Sequence, residues 1–294
     1  MRSARRGLLY GVAAFLAVAP FVVWISSILT PDRSQAVVVP LALTSITTPL
    51  RGRALDATDA SDSHRALGQR DPLALMRLGY ERWQREVRDY RCTLLKQERI
   101  GGVLSPVERV EVRFRKSPEA IYMIWRENPT QVKRALFRGD DPAYVDENGN
   151  ELARVEPAGA VINIFVKNIL MPIKGERARS VSRRTIDECS FGAVFELFEQ
   201  YSERARNAGV LDVRLRGTGE VGGRPTYVIE RHLPYSGEGG RFPDALLIMH
   251  LDQEWLLPVA VESFADPDGA ELLGRYVFKD IERNPGLTDQ DFEF

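Results

Sequence analysis

Three histidines, two cysteines and two short acidic pairs are the side chains in this 294-residue sequence whose types and spacing could do chemistry. His250-Leu251-Asp252 would put an imidazole and a carboxylate on one face of a strand, the start of an acid–base pair. No nucleophile is advertised beside it. His64 and His232 stand alone, and no histidine has another His, Cys or carboxylate at the spacing of the three or four converging ligands that zinc needs. No metal and no cofactor are therefore expected. Asp140-Asp141 and Asp266-Pro267-Asp268 read as turn residues, with weak calcium binding as the alternative. Cys92 and Cys189 have no neighbouring histidine, which argues against a catalytic thiolate. In an oxidising compartment they could close a disulfide between the first strand and a distant helix; otherwise they are two separate buried thiols. The sequence contains no Gly-x-Ser-x-Gly elbow, phosphate loop or dinucleotide fingerprint. Catalysis is not expected.

The bulk composition excludes one further class. Lys+Arg number 40 against Asp+Glu 41, for a net charge of −1, so there is no electrostatic footprint for nucleic acid. Charge is instead patterned at the N-terminus. Arg2, Arg5 and Arg6 precede an uncharged apolar stretch over residues 7–29, and roughly 20 such residues suffice to cross a bilayer as a helix. The arginines hold the N-terminus in the cytoplasm and send the rest across, periplasmic or extracellular. The stretch exceeds a usual signal-peptide core and lacks a clear Ala-x-Ala site, so residues 1–30 read as an uncleaved anchor rather than a cleaved signal. Residues 31–70, rich in Thr, Ser, Ala, Asp and Arg, read as a flexible linker, with 54–69 disordered.

From residue 71 the chain must build whatever positions a site. Asp71-Pro72 is a helix start, Asp as cap and Pro at the first helical position. Leu73, Met76, Tyr80, Trp83 and Val87 follow at helical spacing. The period then changes to two: Val110, Val112 and Phe114 alternate with charged residues, while 121–125 is apolar on both faces and must be covered twice. Further strands are expected at 131–137 and 142–145, before a turn at 146–150. Residues 161–170 could be helix or strand, 175–184 form a basic surface loop, and 190–206 a second amphipathic helix. Strands are then expected at 211–217, 226–233, 245–251, 256–264 and 272–281. Residues 71–294 thus form one mainly β, α+β domain, an antiparallel sheet covered by two or three helices. Its apolar inventory suits either a plain core or a cavity for an apolar ligand.

The stretch from Asp89-Tyr90-Arg91-Cys92 to Glu98-Arg99-Ile100-Gly101-Gly102 resembles the opening of domain-of-unknown-function family 1571. The likeness continues through residues 108–115 and 117–125 and more loosely through 183–186; it departs over 134–150, where Arg134-Ala135-Leu136-Phe137 and Tyr144-Val145 only loosely echo the family pattern. Leu251-Asp252, Leu256-Leu257-Pro258, Glu262, Asp268-Gly269 and Phe278-Lys279-Asp280-Ile281 resemble, more distantly, the closing pattern of the LolA/LolB-like lipoprotein-carrier superfamily, and residues 284–292 resemble the family ending. The resemblance implies a strongly curved, half-open antiparallel barrel whose concave side holds a lipid or acyl chain. No catalytic residue comes with it. The lining residues expected on inward faces are Trp83, Phe114, Tyr122, Trp125, Phe195 and Phe198. The function expected is a membrane-anchored module binding a lipid, acyl chain or lipoprotein. The alternative is a structural or sensory envelope domain with an unknown protein partner.

Overall fold

The computed structural model describes residues 55–158, 168–237 and 239–294. The apolar segment 7–29 lies outside them. Among the described residues no helix is long and apolar enough to cross a membrane.

Among the described residues period-two patterning produces twelve strands: β1 (Asp89–Ile100), β2 (Val103–Leu104), β3 (Glu108–Lys116), β4 (Glu119–Glu127), β5 (Val132–Arg138), β6 (Leu152–Pro157), β7 (Ile169–Pro172), β8 (Asp212–Val221), β9 (Arg224–His232), β10 (Leu246–Asp252), β11 (Pro258–Phe264) and β12 (Leu272–Arg283). They form a single antiparallel sheet in the order β7-β6-β5-β4-β3-β1-β12-β11-β10-β9-β8, with β2 off the path beside β1. The end strands β7 and β8 do not pair, so the sheet is open. The centre is made by the first and last long strands, Lys96 of β1 standing opposite Tyr276 of β12 and Glu108 of β3.

Among the described residues four α-helices accompany the sheet: α1 (Leu55–Arg70), α2 (Pro72–Glu86), α3 (Glu176–Arg179) and α4 (Phe191–Asn207). The start of α2 is the one expected, with Asp71 Oδ1 accepting from the Ala74 N–H at 2.9 Å. The face of α2 carrying Leu73, Met76 and Trp83 and the face of α4 carrying Phe191, Phe195 and Phe198 pack on one face of the sheet, hereafter the inner face. There Tyr90 and Phe191 rings lie 4.7 Å apart, Trp83 and Phe114 5.5 Å. Each helix supplies a glycine where the other's aromatic lands. A Cβ on Gly79 would meet Phe195 at 2.9 Å, and one on Gly192 would meet Trp83 Nε1 at 2.5 Å. Gly192 lies in the first turn of α4, where helix propensity counts little. Gly192→Ala is therefore expected to lose about 1–3 kcal/mol by overpacking, seen as a lower urea midpoint with a changed tryptophan emission.

Residues 121–125 are indeed covered twice. Ile121 and Met123 face the helices, whereas Tyr122 faces the C-terminal segment with Leu287, Phe292 and Phe294. That segment is tied down by Asp89, whose carbonyl accepts from Asn284 N at 2.8 Å and whose carboxylate accepts from Gly286 N at 3.0 Å.

Three expectations are corrected. Residues 54–69 are not a disordered linker, since 55–70 is helix α1. Its polar composition misleads because tertiary contacts hold it: Leu67 packs on the core and Tyr227 Oη donates to Ser61 O at 2.7 Å. Residues 142–145 are no strand but a 3₁₀ turn, Pro142–Tyr144, capped by Asp141, with Pro142 setting the turn. The basic stretch 175–184 is not wholly a surface loop: it contains α3, and its end turns inward. Of residues 161–170, those to 167 lie outside the described residues, and the remainder opens strand β7.

Candidate functional site

The inner face is apolar over most of its area and polar at one end. On β1 the buried positions Tyr90, Cys92 and Leu94 are followed in phase by Lys96 and Glu98. On β3 Glu108 precedes Val110, Val112 and Phe114 in the same phase. All three charged residues are buried, none more than 7% exposed. Lys96 Nζ lies 3.2 Å from Glu98 Oε2 and 3.5 Å from Glu108 Oε2. Nζ also donates to Ser182 Oγ at 3.1 Å. Tyr276 Oη donates to Glu98 at 2.6 Å, Trp125 Nε1 to Glu108 at 3.0 Å, and the Thr130 hydroxyl to the other Glu108 oxygen. Gly274, opposite both Glu98 and Ser263, leaves room for the Tyr276 ring to lie across it.

Electrostatics hold this cluster charged. Burial alone would lower the Lys96 pKa, but Glu98 and Glu108 outweigh it and keep the ammonium above the ordinary amine range. Burial alone would raise Glu98, and Lys96 together with the Tyr276 and Ser182 hydrogen bonds carries it below the ordinary carboxylate range. A lysine held protonated beside the Glu98 carboxylate is neither a base nor a nucleophile.

Two clefts flank the cluster, roofed by residues 173–189 and α4. The first has about 630 Å³ of empty space including its open part, between Leu94, Leu247, Met249 and Val261 of the sheet and Val194 and Phe198 of α4. Arg231, Tyr201 and Tyr276 supply its polar edge. The second, about 690 Å³ counted the same way, lies among Met123, Trp125, Val132, Val155, Met171 and Ile186. Lys96, Glu108, Thr130 and Ser182 edge it. Both clefts are lined by Arg184 and Cys189. Arg231, 1% exposed, meets Asp244 at 3.3 Å and donates to the Phe198 carbonyl at 3.1 Å, joining β9 to α4.

Of the six aromatic residues expected to line a cavity, Trp125 and Phe198 do. Trp83, Phe114 and Phe195 are packed into the filled core beneath α2 and α4. Tyr122 is on the opposite face, because residues 122 and 125 have opposite parity on one strand. The residues missed were Lys96, Glu98, Glu108, Arg184 and Tyr276. The first three carried a signal, namely charged residues in phase with a buried stripe.

The remaining chemical candidates resolve into structure. Cys92 and Cys189 are free thiols, so the disulfide alternative is not what forms. Burial pushes the Cys189 thiol up to about 12 and Cys92 higher still, which makes both poor nucleophiles. The His250–Asp252 pair does not form. The strand register shifts after His250, whose Nδ1 lies 3.0 Å from Thr226 Oγ1. Asp252 instead takes Arg224 at 2.6 and 3.0 Å and the Glu254 and Trp255 N–H groups. His64 sits on α1, with burial lowering its pKa. Asp266 accepts from the N–H groups of Asp268, Ala270 and Glu271, as a turn residue does. No cluster of three metal-ligating side chains occurs among the described residues.

No curated protein matches the chain. Solved structures that resemble it do so loosely. Lipoprotein LppX of Mycobacterium tuberculosis is 10% identical, with 74% of this chain and 98% of that one covered at a TM-score of 0.40. A DUF1329 family protein from Desulfovibrio piger is 13% identical, with 74% and 97% covered at 0.36. A LolA superfamily protein from Nitrosomonas europaea is 9% identical, with 74% and 97% covered at 0.32. The family model described as "Protein of unknown function (DUF1571)" matches residues 87–294, from just before β1 through the C-terminal segment. The chain belongs to the DUF1571 family.

Proposed function

We propose that this protein is a membrane-anchored, extracytoplasmic binding module that holds a lipid, an acyl chain or the acyl part of a lipoprotein, and that it catalyses no reaction. The observation that supports this reading is the pair of apolar clefts on the inner face, lined by aliphatic and aromatic side chains with a few polar groups at the edge. A wall of Val, Leu, Met and Phe side chains gives a hydrocarbon chain what water cannot, at roughly 0.8 kcal/mol per buried CH₂. The buried Lys96 cluster edges the second cleft, and its Tyr276 edges the first, without offering a nucleophile. Residues 1–30 would keep the module at one membrane, within the reach of the chain that follows.

The test is uptake of a fluorescent acyl probe by the full chain in neutral detergent, with lipid mass spectrometry of protein purified from its native membrane. Val194→Trp with Met171→Trp places a large ring in each cleft from a half-buried wall position. Uptake is expected to fall at least tenfold while the melting temperature stays within a few degrees. Undiminished uptake, or no uptake by the unaltered protein and no copurifying lipid, would sink the reading.

One observation favours the second reading, a structural or sensory domain that binds a protein. Three of the six aromatic side chains expected to border a cavity, Trp83, Phe114 and Phe195, are instead spent in a filled core. Specific capture of an envelope protein by a chain that takes up no probe would support it.

A further inference from the structure

We propose that the occupant of the clefts is an anionic two-chain amphiphile, with one chain in each cleft and its acidic group against Arg184. This rests on the reading of the clefts as an acyl site and names the class of ligand. The geometry begins with what the clefts share: Arg184 and Cys189 line both, and the thiol is neutral. Arg184 is thus the charged group in contact with both branches, the position a headgroup joining two chains would have to meet.

Its electrostatic partners leave it capacity. Arg184, with a side chain 17% exposed, meets Glu188 at 3.9 Å. Glu188 itself is engaged at 2.8 Å by Arg179 and accepts from Thr185 N at 3.2 Å. The other cations at the clefts are better matched, Lys96 by two carboxylates and Arg231 by Asp244. A guanidinium presents five N–H donors in a fork that fits a phosphate or carboxylate. A neutral lipid filling both clefts would cover Arg184 and give its donors nothing.

Two independent observations point to an anion. Arg231 Nε, on a side chain 1% exposed that lines the first cleft, has no hydrogen-bond partner. The stretch 174–184 carries Lys174, Arg177, Arg179, Arg183 and Arg184 against the single acid Glu176. From that stretch Ala178, Val181, Ser182 and Arg184 form part of the second cleft's wall; Lys174 pairs with Glu151 and Asp187 and Arg179 with Glu188, which leaves the rim modestly basic where a headgroup would enter.

The experiment is displacement of the bound acyl probe from the full chain in neutral detergent by phosphatidylglycerol, by phosphatidylcholine with the same chains, and by palmitate. Phosphatidylglycerol is expected to displace at about a tenfold lower concentration than phosphatidylcholine, the scale of a hydrogen-bonded charge. Arg184→Gln should bring the two phospholipids together, mainly by weakening displacement by phosphatidylglycerol. Arg184→Lys, which keeps the charge but not the fork, should retain part of the preference, and Arg177→Gln on the exposed rim most of it. Equal displacement by both phospholipids, or a preference that survives Arg184→Gln, would overturn the proposal. Palmitate acting as well as phosphatidylglycerol would overturn its two-chain part. A chain that never takes up the probe would instead refute the acyl site itself.

Discussion

Replacing Lys96 by Met is expected to cost the fold about 3–5 kcal/mol at neutral pH, the usual penalty for stripping a buried ion cluster of one member. Methionine conserves the volume, so the loss isolates the charge. Glu98 and Glu108, 2% and 4% exposed, would face each other across the gap the ammonium filled. The pH dependence carries the sign. In the unaltered protein Glu98 titrates below its ordinary value, so its stabilisation is present above the unfolded pKa of about 4.3 and is lost as pH falls through the folded one. In Lys96→Met, Glu98 stays buried without its counterion, which raises its folded pKa instead. That penalty is full at neutral pH and shrinks as acid protonates it. The difference between the two proteins, from urea titrations at pH 7.5, 6 and 4.5, should therefore narrow steadily toward acid. Adding Glu98→Gln and Glu108→Gln should recover much of the loss at pH 7.5. A gap independent of pH, or one below about 1 kcal/mol at neutral pH, would show that the cluster does not hold the charges assigned to it.

That cluster marks where the sequence was legible and where it was not. Asp71-Pro72 announced α2 because a cap and a proline act locally. The strands of the second half, from β8 to β12, came out within a few residues because glycine-rich turns punctuate them and one side of each is apolar. Lys96, Glu98 and Glu108 were hidden for the opposite reason. A charged residue in a strand is read as facing water, and its burial depends on partners far off in sequence: Tyr276 on β12, Ser182 in the roof, Thr130 after β4. Arg184 was hidden in the same way within a basic run, where nothing local distinguishes the side chain that lines both clefts. Helix α1 shows the limit from the side of propensity, since its Ser61 and Leu67 anchors need Tyr227 and the core already in place. Where a feature is made by contacts between neighbours in sequence it could be read, and where the sheet's register makes it, only the fold reveals it.

Arg231 and Asp244 put that distinction to a second test, because here no proton can come to the rescue. Asp244 is fully buried and Arg231 nearly so, their contacts 3.3 and 3.4 Å long, and the guanidinium also lies 5.0 Å from the Phe198 ring. Asp244→Ala is expected to cost about 3–5 kcal/mol, since the guanidinium keeps its charge and loses its counterion. Burial lowers the Arg231 pKa from an arginine's usual value. An arginine nonetheless stays protonated throughout the range in which proteins are studied. The loss should therefore be flat between about pH 5 and 8, in contrast to the sloping loss in Lys96→Met. The double variant Arg231→Met with Asp244→Ala removes both charges and should recover more than half of it, as buried pairs replaced by apolar groups commonly do. Its remaining deficit would report the tie from Arg231 to the Phe198 carbonyl, which fixes α4 against β9 at the edge of the first cleft. Acyl-probe uptake should then weaken in the double variant even where stability has returned, because the wall formed by Val194 and Phe198 is no longer pinned to the sheet. Full recovery of stability together with unchanged uptake would mean that the pair neither orders the cleft nor holds the helix.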